Sequence, residues 1–182
     1  MKHSPLPIDG LILFEPDVYS DERGYFSEMF NERLMRQAGI DAVFVQDNES
    51  VSRKSVIRGL HFQKKPHEQG KLVRVVRGKA MDVVVDIRPG SPTFGRHISV
   101  ELTGDNKKIL WIPPGFAHGF EALDDDTVFL YKVTGYYDAS SEGGIIYNDA
   151  SLNISWQSKK PLVSRKDLVL PSFREYSLTL NG

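Results

Sequence analysis

The chain has 182 residues, enough for one domain with a sizeable core, and its 40% hydrophobic and 26% charged residues are those of an ordinary soluble globular protein. It has no cysteine, which excludes a disulfide framework, a thiolate nucleophile and a Cys-based zinc site. No run approaches the ~20 apolar residues of a membrane helix, and no apolar stretch of signal-peptide length follows Met1–Pro5, so a cytoplasmic protein without membrane contact is expected.

The net charge is −1, yet residues 53–79 hold nine Lys and Arg against the single acid Glu68, a local balance of 9 − 1 = +8. Such a stretch suits an anionic small molecule or nucleic acid, and equally a pair of strands with solvated basic faces.

In chain order, Phe26–Phe30 alternates as a strand, and Asn31–Ala38 reads as a short helix capped by Asn31 and ended by Gly39. Strands are expected at Val43–Val45, Ser55–Phe62, Lys71–Arg77, Ala80–Ile87, Arg96–Leu102, Lys108–Ile112, His118–Ala122 and Val128–Thr134. Turn signals separate them at Gly78-Lys79, Pro89–Pro92, Gly104–Asn106 and Pro113–Gly115. Many short, evenly spaced strands with almost no helix predict an all-β sandwich or barrel. Residues 139–182 are less periodic and are expected to form loops and short helices over that barrel, making residues 1–182 one domain.

Two segments carry chemistry. The first is Arg58-Gly59-Leu60-His61-Phe62-Gln63, followed by Lys71 seven residues before Gly78. The second runs from Trp111 to Phe120 and contains Pro113, Gly115 and His118. Together they resemble the two motifs of the cupins, whose jelly-roll barrels often hold a metal on three His and a Glu. Here Gln63 stands in place of the second His and Lys71 in place of the Glu. A fixed cation opposes a metal ion at that point, so no metal and no cofactor are expected. A set of His61, Glu68 and His118 remains an open alternative for an ion.

A more specific resemblance covers nearly the whole chain. Asp21–Phe26 with Glu28, Val45–Asn48, Arg58–Gln63, Gly70–Arg74, Asp86–Arg88, Ser91–Gly95, Trp111–Phe120, Tyr131-Lys132, Tyr136-Tyr137, Glu142, Asn148-Asp149 and Lys166-Asp167 stand in the order and spacing of the dTDP-4-dehydrorhamnose 3,5-epimerases. That resemblance implies a cupin-like jelly-roll barrel, a homodimer, a dTDP-linked 4-keto-6-deoxy sugar as substrate, and neither nucleic acid nor membrane as partner. Hydrogens on carbons 3 and 5 flank the ketone, so removing either gives an enolate and inversion needs no redox cofactor. The chemistry needs a base on one face, an acid on the other and a cation at the oxyanion.

The resemblance assigns these roles to His61 as base, Asp167 as its hydrogen-bond partner, Tyr131 as acid and Lys71 as cation. An imidazole suits a base because its ordinary pKa of about 6.5 leaves it partly neutral at physiological pH. The resemblance also implies Arg23, Arg58 and Lys166 on the pyrophosphate, and Glu28, Gln46 and Asn48 toward nucleoside or sugar. It further implies Tyr137 stacked on thymine with Glu142 nearby, and Gln63 and His118 against the substrate.

Plainer readings exist for the same residues. Tyr131 shares a strand face with Phe129 and Val133 and would fill a barrel equally well. Lys71 shares a face with Val73 and Val75, which makes it an inward anion site or, if that face points out, a solvated charge. Asp167 in a loop would also cap a short helix. Strict alternation places Arg58 and His61 on opposite faces, so one site for both requires a bulge, and Gly59 is the natural place for it. Rival functions are an enzyme inverting carbon 3 alone or moving the ketone, a metal-dependent cupin oxygenase, and a non-catalytic carbohydrate-binding cupin.

Overall fold

The computed structural model describes residues 1–180; the last two residues of the expected domain lie outside them. Fourteen strands run in the order β1 (Lys2–Pro5), β2 (Ile12–Glu15), β3 (Tyr19–Asp21), β4 (Gly24–Phe26), β5 (Gln46–Ser52), β6 (Val56–Gln63) and β7 (Lys71–Arg77), then β8 (Lys79–Asp86), β9 (His97–Thr103), β10 (Ile109–Ile112), β11 (Phe116–Ala122), β12 (Thr127–Val133), β13 (Glu142–Gly144) and β14 (Leu162–Val163). Helix α1 (Glu32–Gln37) precedes β5, α2 (Phe173–Leu178) closes the chain, and 3₁₀ turns cover Ala139–Ser141 and Asp167–Val169.

One sheet has the strand order β1-β2-β10-β7-β12-β5, and the facing sheet the order β13-β6-β11-β8-β9, with β14 alongside β6. The chain passes repeatedly between the two, which makes a jelly roll of the cupin type. The small β3–β4 hairpin pairs with neither sheet.

Period-two alternation decides what each strand buries. Val73 and Val75 on β7, Ala80 and Val84 on β8, Phe116 and Phe120 on β11 and Phe129 on β12 point between the sheets and form the central core. Phe120 and Phe129 stack across it with ring centroids 4.0 Å apart. Burying each such ring is worth roughly 1.5–3 kcal/mol. The opposite face of β8 and β11, with Val83, Val85 and Ala117, is covered by the C-terminal segment through Leu152, Trp156, Phe173 and Tyr176. The outer face of β7 and β10 (Leu72, Ile109, Trp111) is covered by Met35 of α1 together with Met29, Phe30 and Phe44. Buried on both faces, β8 and β11 therefore read as apolar runs, as a central layer must.

Helix α1 forms where expected. The Asn31 side chain accepts hydrogen bonds from the Arg33 and Leu34 amides, and Gly39 follows with φ +85°. The expected strand over Phe26–Phe30 ends instead at Phe26, because Met29 and Phe30 turn under α1 to fill the outer core. Val43–Val45 is likewise not a strand; the ladder with β12 begins as the Val45 amide bonds the Val133 carbonyl and continues through the polar Gln46–Ser52. This strand escapes an apolar-pattern reading because it is an edge strand with polar side chains on the cleft. The N-terminal β1 and β2 and the short β13 and β14 also lack the length or pattern that marks a strand in sequence.

Candidate active site

A cleft opens between the sheets as two lobes of about 570 Å³ and 350 Å³. Both lobes share His61, Lys71, Tyr131 and Glu142 in their walls. The sheets divide the chemistry. His61 on β6 and His118 on β11 come from one wall, and Lys71 on β7 and Tyr131 on β12 from the other.

The tension between Arg58 and His61 is resolved by a bulge. His61 lies opposite His118 and Arg58 opposite Phe120, so three residues of β6 span two of β11. The extra residue sits at Gly59, whose φ is +132° and whose following peptide bond is cis. A Cβ there would lie 2.6 Å from the Gly119 Cα, so glycine is required both by conformation and by closeness. The result is that Arg58 and His61 both line the larger lobe.

His61 Nε2 lies 2.7 Å from Asp167 Oδ1. Asp167 is itself anchored: Oδ2 accepts from the Gly59 amide at 3.4 Å, and its own amide donates to Ser164 Oγ at 3.0 Å. Burial pushes the Asp167 carboxyl up, but the His61 hydrogen bond and charge outweigh it and hold the group below its ordinary value. Asp167 also opens a 3₁₀ turn, so the helix-start reading of the sequence and the His61 pairing hold together.

Lys71 lies partly buried in the cleft walls, and desolvation lowers its pKa to about 8, with Asp82 opposing the shift. Lys71 thus points inward, as its alternation with Val73 and Val75 allows. Tyr131 is half-buried; burial raises its phenol, and the charge of Arg58 partly offsets this. It packs against the core beside Phe129, with centroids 6.5 Å apart, while lining the cleft. His118 is buried on the floor, its Nε2 2.7 Å from Asp82 Oδ2, and desolvation lowers its pKa despite that carboxylate.

Of the substrate-binding candidates, Arg58 is held by Ser52 Oγ at 3.1 Å and the Val51 carbonyl at 3.2 Å and faces the larger lobe. Gln46, Asn48, Gln63 and Tyr137 line the smaller lobe, where Gln46 Nε2 donates to Asn48 Oδ1 at 2.7 Å. Glu142 stands between the lobes; it accepts from the Tyr137 hydroxyl at 2.8 Å and pairs with Lys166. Arg165 lines neither lobe, whereas Lys166 lines the larger one.

Arg23 and Glu28 are not part of this cleft. Arg23 lies exposed on the β3–β4 hairpin against Asp21, and Glu28 accepts from Asn31 beside α1. The detached hairpin carries them away from the walls of their own chain's cleft. Glu68 lines a different cavity, with Lys64 and Lys65, so it does not join His61 and His118 as a ligand. Among the described residues no three His, Asp or Glu side chains converge on one point. Of the nine cations in residues 53–79, Arg58 and Lys71 enter the cleft, which sorts the basic stretch by strand face. Sequence reasoning passed over Ser50, Gln69 and Ser164 in the walls, and Asp82, which lies behind them against His118; the signal of Asp82 was an acid in the apolar run of β8.

The dTDP-4-dehydrorhamnose 3,5-epimerase family matches residues 5–175. The dTDP-4-dehydrorhamnose 3,5-epimerase of Shigella flexneri is 51% identical over 162 residues, covering 88% of this chain and 90% of that protein. Among solved structures, the dTDP-6-deoxy-D-glucose-3,5-epimerase of Legionella pneumophila, in complex with dTDP-4-keto-L-rhamnose, is 45% identical with TM-score 0.93, covering 98% and 96% of the two chains. A 3'-monoepimerase from Streptomyces bikiniensis in complex with dTDP-quinovose superposes with TM-score 0.92 at 35% identity, over 97% and 90% of the chains. The chain is a member of the dTDP-4-dehydrorhamnose 3,5-epimerase family.

Proposed function

We propose that this protein inverts carbons 3 and 5 of dTDP-4-dehydro-6-deoxy-D-glucose, giving dTDP-4-dehydro-L-rhamnose through two enolates. The observation that carries this reading is the His61–Asp167 pair on one wall of the cleft, at 2.7 Å, opposite Tyr131 and Lys71 on the other. Asp167 takes the Nε2 proton of His61 as hydrogen-bond acceptor, which leaves Nδ1 as the basic nitrogen. Nδ1 removes the hydrogen on carbon 3 or 5, and the electron pair moves to the carbon-4 oxygen. Lys71 holds the resulting oxyanion, inside a cleft where desolvation strengthens the attraction. Tyr131, kept protonated by burial, returns a proton to the opposite face. No step uses a metal or a redox cofactor.

Arg58 and Lys166 take the pyrophosphate, Arg58 with part of its guanidinium already fixed by β5. The smaller lobe, with Tyr137 and Glu142 at its edge, takes the nucleoside end. The reaction belongs in the cytoplasm; among the described residues no helix is long and apolar enough to cross a membrane.

A second copy of the chain completes the protein as a homodimer. The support is the β3–β4 hairpin, which belongs to neither sheet and exposes Tyr19, Tyr25 and Phe26, together with the open edge strand β5. Sedimentation at micromolar concentration is expected to give twice the 20.6 kDa chain mass, and a monomer there would refute it.

NMR of the 4-keto sugar nucleotide in deuterated water tests the reaction itself. Deuterium is expected at both carbons 3 and 5 with inversion at each. Deuterium at carbon 3 alone would replace the reading with a single-centre epimerase.

A further inference from the structure

Asp167 reaches His61 on a strap that contributes almost nothing to the core. From Gln157 to Val169 only Asp167 is buried; every other side chain is exposed or half-buried. The one stretch of strand in it, β14, is two residues long and lies beside β6 at Val56 and Ile57. Yet Val163, Ser164, Lys166 and Asp167 line the larger lobe. A group that orients a base must be held to within about 0.5 Å, and apolar burial does not supply that here.

The start of the strap is held by a buried carboxylate that takes no part in the proposed proton transfers. Glu121 on β11 is 1% exposed. Its Oε2 accepts from the Gln157 amide at 2.7 Å and its Oε1 from the Ser158 amide at 2.8 Å. Both oxygens are thus engaged by two consecutive backbone donors.

Sheet register ties this anchor to the far end of the strap. Glu121 lies opposite Ile57 in the β11–β6 ladder, and Ile57 lies opposite Val163 in the β6–β14 ladder. Glu121, Ile57 and Val163 therefore form one row across three strands. A second row runs beside it: the Ser55 amide donates to the Ala122 carbonyl at 2.8 Å, and the Leu162 amide to the Ser55 carbonyl at 2.8 Å. Ser164 follows at once, and its Oγ accepts from the Asp167 amide at 3.0 Å. The chain crosses β6 between these two attachments, and Asp167 is placed by the second.

We propose that Glu121 is a positioning residue of the active site: by clamping the Gln157 and Ser158 amides to β11, it sets the register of the strap on β6 and so holds Asp167 on His61. The inference rests on the reading of His61 as the base with Asp167 accepting its Nε2 proton. Glu121 lines neither lobe of the cleft, so it acts through Asp167. A carboxylate suits the clamp because it offers an acceptor to each of two donors. A carboxamide of the same size offers one acceptor and turns its own donor against the second amide.

The test uses the full chain with Glu121→Gln. With ¹⁵N-labelled histidine, the parent His61 ring should report one tautomer, protonated at Nε2, and the variant a mixture of both. The kcat for deuterium exchange should fall about tenfold, the worth of one lost hydrogen bond. Adding Glu121→Gln to Asp167→Asn should lower kcat no further, because both changes act on the same pair.

An unchanged His61 tautomer in a folded Glu121→Gln protein overturns the proposal. Losses that add in the double variant do the same and mark Glu121 as merely structural. One result needs no variant to fold: in the parent, the Gln157 and Ser158 amides should exchange with deuterated water at least ~10²-fold more slowly than open chain. Exchange at open-chain rates means that the clamp does not hold in solution. A parent His61 that is not protonated at Nε2 would instead remove the reading of the base pair, an outcome distinct from a clamp that fails while the pair stands.

Discussion

The molecule contains two histidine–carboxylate pairs of the same length and opposite character. His61–Asp167 and His118–Asp82 both measure 2.7 Å. The first joins a bulged strand to a 3₁₀ turn near the mouth, and the His61 side chain keeps 33% of its surface exposed. The second joins adjacent strands on the barrel floor, with the His118 side chain 8% exposed and Asp82 at 0%. Two pairs of the same length thus sit in different surroundings. A base must reach its substrate, which the exposure of the open pair permits. The enclosed pair resists charging, because desolvation disfavours the imidazolium more strongly than Asp82 favours it. It is suited to holding groups in place.

The sharpest way to break this comparison is to exchange the roles by mutation. His61→Asn should abolish deuterium exchange at both carbons, since one base serves both steps. His118→Asn should retain exchange and lower it by about tenfold or less, the worth of a neutral hydrogen bond. Exchange surviving in His61→Asn would place the base elsewhere.

Next in size is Tyr131→Phe, which keeps the ring and the packing and deletes the proposed donor of the opposite wall. Net inversion should fall by ~10²–10⁴ while exchange falls much less, because His61 still forms the enolate and can return a proton to the same face. Inversion near the parent rate would reduce Tyr131 to barrel filling; a parallel loss of exchange and inversion would mean it helps to form the enolate.

Asp167→Asn should be milder. A hydrogen bond to a charged partner is worth about 1.5–3 kcal/mol, so kcat for exchange should fall roughly 10- to 100-fold. A loss confined to KM would show that the pair binds rather than activates.

The smallest expected effect is on stability. The Asp167 carboxyl is held below its ordinary value in the fold, so its stabilising contribution is present above the unfolded pKa of about 3.9 and is lost as pH falls through the folded value. The Tm difference between the parent and Asp167→Asn should therefore be largest near neutrality and narrow below about pH 4. A difference independent of pH would assign it to packing.

The comparison also divides what could be read in advance. His61, Lys71, Tyr131 and Asp167 were legible as a set only through the resemblance to the epimerase family, since spacing alone does not pair His61 with Asp167. Asp82 was not, although β8 declared itself as a strand. Its apolar neighbours made it look like an interruption, when the barrel interior around it is the reason for its presence. Gln46–Ser52 was missed as a strand for a related reason. A polar cleft-facing edge gives no apolar alternation, and only its seven-residue register with β12 identifies it.

Local sequence determined the all-β character, the Asn31-capped helix and which residues of β7 and β12 share a face, because alternation and capping are properties of neighbouring residues. It also supplied the reason for a bulge at Gly59, since Arg58 and His61 cannot otherwise share a face. Tertiary structure alone decided that the bulge closes against Gly119, that Asp167 crosses 106 positions to reach His61, and that Arg23 and Glu28 stand outside their own chain's cleft. Those outcomes depend on which strands meet and how closely backbones approach, and pattern along a single segment carries no information about either.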